Sequence, residues 1–160
     1  MKICVSATAN NLEAQLDPRF GRCFYFVIVN SETMQFEAIP NMASGATGGA
    51  GIQATQTIAN KGVKVVITGN VGPNAFGALS AAGIEIVTGA FGTVREVVEK
   101  FKRENLEELQ NEVDKLKQIN NLKSEEMFEK SKQIQEQDEK IARIEKTLAL
   151  FVKGIKKVNS

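Results

Sequence analysis

Three glycine-rich segments and two cysteines hold whatever chemistry this 160-residue chain can perform. Ser44-Gly45-Ala46-Thr47-Gly48-Gly49-Ala50-Gly51 runs into a helix-like stretch. Unpaired backbone N–H groups and the positive end of a helix dipole converge there, as an anion site requires. No Lys-Ser/Thr pair follows these glycines, which removes a Walker loop. Gly49-x-Gly51-x-x-Ala54 satisfies a loose dinucleotide fingerprint, but no strand leads into it, and the next strand ends in Thr68-Gly69-Asn70 without an acid for a ribose. The second segment, Thr68-Gly69-Asn70-Val71-Gly72-Pro73-Asn74-Ala75-Phe76, turns from a strand end into a helix opened by Pro73. Asn70 and Asn74 there either hold a ligand or close the turn. Gly89-Ala90-Phe91-Gly92-Thr93 is a third turn of the same kind. A connection that needs glycine for backbone geometry alone is the competing explanation of the first segment.

Of the thiols, Cys4 stands between Ile3 and Val5 and reads as a small buried hydrophobe. Cys23 directly follows Arg19-Phe20-Gly21-Arg22, so two guanidinium groups are expected to lower its pKa and favour the thiolate, which binds soft metals. Ordinary strand packing is the alternative. One thiolate cannot hold a tetrahedral zinc or an iron–sulfur cluster, which need about four protein ligands. A metal held here must arrive as a preassembled anionic species or be shared between chains. The chain has no histidine, which excludes Ser-His-Asp and Cys-His catalysis, histidine-ligated zinc and an imidazole base. Up to Thr93 the acids are Glu13, Asp17, Glu32, Glu37 and Glu85, all outside the three segments, so a two-metal hydrolase has no carboxylate cluster.

The elements that must position these groups follow from pattern. Lys2 to Ser6, Cys23 to Val29 and Gln35 to Ile39 read as strands in a meander, the last two joined by the turn residues Asn30-Ser31-Glu32-Thr33. Ile52 to Asn60 suits a helix ended by Lys61-Gly62, and Val63 to Thr68 is a β-branched run of the kind buried on both faces. Pro73 to Ala82 repeats the helix, Ile84 to Val87 the strand, and Thr93 with Glu96 forms a capping box for a helix through Phe101. The order β-β-β-α-β-α-β-α predicts an α/β fold, one mixed sheet between helices, with ligand loops at the carboxyl edge.

Composition divides the chain. Residues 1–101 hold seven Lys/Arg and seven Asp/Glu, residues 102–160 thirteen and twelve, and every glycine but Gly154 precedes the break. Residues 1–102 are expected to be an α/β domain and 103–158 a coiled coil. In one heptad frame the a positions are Leu106, Val113, Asn120, Met127, Ile134, Ile141, Leu148 and Ile155. The d positions are Leu109, Leu116, Lys123, Lys130, Gln137, Ile144, Phe151 and Val158. This argues for one long helix pairing with another chain, a homodimer, or for a hairpin turning near Asn120-Asn121; the unbroken frame favours the long helix. Asn120 at an a position is the residue type that favours a parallel pair. A net charge of +1 predicts no attraction to nucleic acid or anionic lipid. No stretch reaches the roughly 20 apolar residues of a membrane span. The start, Met1-Lys2-Ile3-Cys4-Val5, lacks a signal-peptide pattern, from which a cytoplasmic location is expected.

Asp17-Pro18-Arg19-Phe20-Gly21-Arg22-Cys23, Gly48-Gly49-Ala50-Gly51-Ile52-Gln53, Thr68 to Phe76 and Gly89-Ala90-Phe91-Gly92-Thr93-Val94-Arg95, in that order and spacing, resemble the dinitrogenase iron–molybdenum cofactor biosynthesis family over about residues 1–102. The resemblance implies a three-layer ribonuclease-H-like fold. It further implies a non-enzymatic role as carrier or accessory of metal–sulfur clusters, either iron–sulfur or molybdenum-containing. The chain departs from the nitrogenase carriers in lacking histidine and in carrying the charged tail.

Two functional classes follow. In one, residues 1–102 bind an anionic metal–sulfur or oxyanion ligand and the tail dimerises the carrier or docks it to a cluster-assembly protein. In the other, the coiled coil is the working part of an adaptor whose α/β domain binds no metal. The expected ligand site comprises Arg19, Phe20, Gly21, Arg22 and Cys23, then Gly45, Gly48, Gly49 and Gly51, then Gly69, Asn70, Gly72 and Asn74, with Cys23 as the one metal donor. Because the composition break leaves a closed set of strands and helices before it, a chain ending at Lys102 should unfold in one cooperative thermal transition. A featureless melt would separate the fold from that boundary.

Overall fold

Strands with apolar residues on both faces need a layer of helix on each side, and the computed structural model has that arrangement. It describes the backbone of residues 1–158 and the side chains of residues 1–153. The strands are β1 (Lys2–Ala7), β2 (Tyr25–Asn30), β3 (Phe36–Pro40), β4 (Val65–Ile67) and β5 (Glu85–Val87). The helices are α1 (Ala50–Ala59), α2 (Pro73–Ala81) and α3 (Val94–Val158), with a 3-10 turn at Phe20–Arg22. The sheet order is β3-β2-β1-β4-β5. β1 and β3 run antiparallel to β2, while β4 is parallel to β1 and β5, with Cys4 opposite Ile28 on one side and Val66 on the other. The short Ser31–Gln35 link permits a hairpin; the parallel pair β4–β5 needs α2 as its crossover. Strand order and helices match a ribonuclease-H-like arrangement.

Alternation along β1 sends neighbouring residues into different cores. Ile3, Val5 and Ala7 join Leu12, Leu16 and the first turns of α3 through Val94, Val97, Val98 and Phe101. Cys4 joins Phe20, Cys23 and Phe26 with Ala54 and Ile58 of α1 and Ala75 and Leu79 of α2.

The observed elements shift from expectation for local reasons. α1 begins at Ala50 rather than Ile52, because Gly49 at φ 71° makes the turn into it and Gly51 is helical. β2 begins at Tyr25 rather than Cys23, because the Cys23 carbonyl is taken by the Asn41 side-chain amide at 3.0 Å instead of by a strand.

The helix expected through Phe101 and the tail expected after it are one element, α3. Asn120-Asn121 lies in its interior, where Ser124 Oγ donates to the Asn120 carbonyl at 2.9 Å, so no hairpin turns there. The chain forms two compact units, Met1–Glu107 and Glu108–Ser160. In the second, every described side chain is exposed, and its apolar a and d residues retain between 43% (Val113) and 69% (Met127) exposure. The side chains of Ile155 and Val158 lie outside the described residues. Among the described residues no helix is long and apolar enough to cross a membrane.

Candidate functional site

Two helices present their amino ends to one cleft. The cleft encloses about 320 Å³ and is lined by Arg19, Phe20, Gly21 and Arg22, by Gly49, Ala50 and Gly51, and by Asn70, Gly72, Pro73, Asn74 and Ala75. Neither Gly49 before α1 nor Gly72 before α2 supplies a side-chain cap, and neither helix has an acid in its first turn. Gln53 N–H donates to the Gly49 carbonyl and Phe76 N–H to that of Gly72. The N–H groups ahead of them, on Ala50, Gly51, Ile52, Asn74 and Ala75, have no hydrogen-bond partner among the described residues. Such groups together with a dipole end favour an anion.

α3 provides the contrast within the same chain. Its Val94 and Arg95 N–H groups donate to the carbonyls of Ala14 and Leu12, and Glu96 N–H donates to Thr93 Oγ1 at 3.2 Å. Thr93 N–H donates to Glu96 Oε2 at 2.7 Å, and that bond, with a second from the Thr93 hydroxyl, holds the Glu96 carboxyl below its ordinary pKa. α3 therefore carries its own anion, whereas the first turns of α1 and α2 hold neither an acid nor a side-chain cap.

Glycine makes the convergence possible. A Cβ on Gly51 would lie 2.6 Å from Ala75 Cβ, and one on Gly21 would lie 3.1 Å from the Gly51 backbone. Gly69 is packed as tightly on Pro18, at 2.6 Å. That contact belongs to a small ladder in which Asn70 N–H donates to the Pro18 carbonyl at 2.6 Å and Phe20 N–H to the Asn70 carbonyl at 3.2 Å. Beneath it, the buried Ser6 hydroxyl sits 2.7 Å from the Asp17 carbonyl oxygen and 2.6 Å from Thr68 Oγ1, tying the carboxyl ends of β1 and β4 to the loop.

The two arginines differ. Arg19 Nε faces the buried Asp17 carboxylate at 3.4 Å, and Arg19 N–H donates to the same oxygen at 2.9 Å, so its charge is partly offset. Arg22 Nη1 donates to the carbonyls of Ser44 at 3.1 Å and Ala46 at 2.5 Å. Those acceptors are neutral, so no carboxylate pairs with Arg22 among these contacts while it holds the Ser44–Gly49 loop.

Cys23 does not behave as its neighbours suggest. It is fully buried, absent from the cleft lining, and its thiol donates to the Phe20 carbonyl at 3.2 Å. Burial, and then the Asp17 carboxylate, push its pKa up to about 12, so the expected thiolate is not formed. Cys4 is raised too, by burial and then by Cys23. Gly45, Gly48 and Gly69 also stand off the lining, whereas Ala50, Pro73 and Ala75 join it.

Sequence reasoning missed Asn41. Buried, its amide donates to the carbonyls of Gly21 at 3.2 Å and Cys23 at 3.0 Å, and its Oδ1 accepts from Ala43 N–H, fixing the two loops together. The Pro40-Asn41 pair signals a turn and nothing more. Among the described residues no three His, Cys, Asp or Glu side chains gather as a metal site.

A family profile described as "Dinitrogenase iron-molybdenum cofactor" matches residues 1–104. An uncharacterized protein of Methanocaldococcus jannaschii is 33% identical over 113 residues, 69% of this chain and 92% of that protein. The apo form of the orange protein from Desulfovibrio gigas is 43% identical with a TM-score of 0.63, over 64% of this chain and 88% of that one. The solution structure of a putative NifB protein from Thermotoga is 32% identical with a TM-score of 0.57, over 64% and 87%.

Alanine substitution separates the packed glycines from the free ones. Helix propensity alone favours Gly51→Ala by about 1 kcal/mol, but the Ala75 contact reverses the sign, and urea denaturation should show a loss of roughly 1–3 kcal/mol. Gly48→Ala, with nothing within 4 Å, should change stability by no more than about 1 kcal/mol. A second expectation concerns pH. The folded chain holds the Cys23 proton up to about pH 12, whereas the unfolded chain releases it from about 9, so this contribution to stability is complete below 9 and lost as pH rises toward 12. Thiol titration with Ellman's reagent at pH 8 should find Cys23 protected until urea is added.

Proposed function

Because the chain belongs to the dinitrogenase iron-molybdenum cofactor family, a non-catalytic accessory domain, we propose that it carries an anionic metal–sulfur species as cargo, held by hydrogen bonds and charge. The observation that carries this reading is the cleft itself, where the open N–H groups of α1 and α2 meet the uncompensated charge of Arg22 and no carboxylate lines the wall. The donor set fits such a cargo in one particular way. It offers backbone amides, two guanidinium groups and the Asn70 and Asn74 side chains, and no thiolate, imidazole or carboxylate. Cargo whose metal–sulfur bonds are already made can be gripped at its outer sulfur or oxygen atoms; a bare soft metal ion would find no thiolate or imidazole in the lining.

Each part has a task in this reading. The amides of Ala50, Gly51 and Ile52 hold one side of the anion, and those of Asn74 and Ala75 hold the other. Arg22 closes over it from the loop it already braces, and Asn70 and Asn74 orient it. The tight packing of Gly21, Gly51 and Ala75 keeps these donors fixed before binding, which spares ordering cost. Further support is that the Desulfovibrio gigas relative is described as an apo form. The exposed apolar stripe of α3 completes the proposal with oligomerisation through a coiled coil, or docking to a cluster-assembly protein.

Anaerobic titration with tetrathiomolybdate, followed through its visible absorption, tests the carrier reading. The full chain should take it up saturably, and less so at high salt. Arg22→Ala should weaken uptake roughly tenfold or more, as loss of a charged hydrogen bond does, and Arg19→Ala should weaken it less. Cys23→Ser should lower the melting temperature and leave the titration unchanged. Unaltered binding by Arg22→Ala would sink the site, and no uptake by the wild type would leave α3 as the working part of an adaptor.

A further inference from the structure

The heptad frame of α3 leaves an apolar stripe in water, and the residues that interrupt it decide what covers it. We propose that a second copy of this chain lies antiparallel along α3, its two-fold axis beside Lys132, so that Leu116 faces the partner's Leu148 and Val113 the partner's Phe151. The proposal deepens the oligomer reading above and rests on it.

In a parallel pair in register every core layer sets a residue against itself. Asn120, Lys123, Lys130 and Gln137 would then form layers without one apolar side chain, and the two lysine layers would confront like charges inside the seam. Reversing one helix changes every one of these layers. Asn120 meets the partner's Ile144, Lys123 meets the partner's Ile141, Lys130 meets the partner's Ile134, and Gln137 meets the partner's Met127. Each polar residue gains an apolar neighbour. A lysine at such a place lays its stem on the isoleucine and sends its ammonium to solvent. Ile134, Ile141 and Ile144, 53–60% exposed in the single chain, are covered in return. Asn120 bonding to its own copy, and the all-apolar layers that Met127, Ile134, Ile141 and Ile144 would each make with themselves, favour the parallel form, and they stand against two layers of opposed lysines.

Charge beside the seam sets the register. In this alignment Glu126 lies across from the partner's Lys140, and Lys117 across from the partner's Glu145, each pair occurring twice by symmetry. Sliding one copy by a heptad in one direction sets Asn120 against the partner's Gln137 and keeps a single opposite-charge pair, Lys117 with the partner's Asp138. Sliding it the other way keeps none. A parallel pair also brings Glu112 to the partner's Lys117 and Lys140 to the partner's Glu145, so flanking charge selects the register and the core layers select the direction. Pairing of the chain with its own reversed copy in both respects is what makes a second copy the occupant.

Engineered thiols read direction directly. Full-length Leu116→Cys and Leu148→Cys are prepared separately, mixed under reducing conditions to exchange chains, then oxidised with glutathione disulfide. The wild type serves as the control, its Cys4 and Cys23 being buried. A band at twice the chain mass should appear in the mixture on a non-reducing gel, and each variant alone should run at the single-chain mass. Self-cross-linking of either variant alone would overturn the antiparallel direction. A wild type that is dimeric by light scattering, with no cross-link in the mixture, would overturn the register, and a monomeric wild type would remove the oligomer itself. The thiomolybdate titration of the α/β site is read separately from all of these, so its failure and theirs stay distinguishable.

Discussion

The approach of Gly51 to Ala75 is the contact on which the site depends. Two helices can aim their amino ends into one small volume only if their first turns nearly touch, and a side chain at position 51 would hold them apart. The remaining features support that approach. Gly21 fits over the Gly51 backbone, Asn41 binds the Gly21 carbonyl from below, and the Ser6–Thr68–Asp17 cluster fixes the strand ends from which both loops leave. The close approach at the cleft is thus made by residues with little or no side chain. Beside the arginine and asparagine side chains the cleft exposes main-chain amides, which need no side-chain rotamer to be fixed before they act.

The three helices treat their first turns in two different ways. α3, which packs on one face of the sheet, closes its own N-terminus with Thr93, Glu96 and the carbonyls of Leu12 and Ala14. α1 and α2, on the other face, begin with Gly49 and with Gly72-Pro73, residues that cannot reach back to cap. Capping commonly contributes about 1 kcal/mol, so leaving two neighbouring helices without it costs stability that an anion would restore.

Much of this was legible beforehand because it is local. Glycine runs before helices, Pro73 at a helix start, the Thr93–Glu96 spacing and the β-branched run at Val65–Ile67 act through neighbours in sequence. The heptad frame gave the continuity of α3 across Asn120-Asn121 for the same reason. What failed was tertiary. Arg19 and Arg22 flank Cys23 in sequence and pointed to a thiolate; in the fold one arginine is engaged by Asp17, the other by Ser44 and Ala46, and the thiol faces the core. The turn around Gly69 suggests a ligand contact from its residue types, and what the pattern does not disclose is the packing on Pro18, 51 positions earlier in the numbering, that requires glycine there. Nothing local to Asn41 announced that it would bind two carbonyls of another loop.

The sheet's two edges bear on whether a further strand can add to them. β5 is three residues long, and β3 ends in Pro40 and carries Glu37, whose carboxylate is held by Lys61 at 2.7 Å. A short edge, and an edge bearing a charge and a residue without an N–H, are poor templates for adding another strand. Fibrillar stacking through the main chain is therefore discouraged at both borders of the α/β unit. In the proposed dimer, association would fall to side chains instead, which single substitutions can tune or abolish without rebuilding the domain.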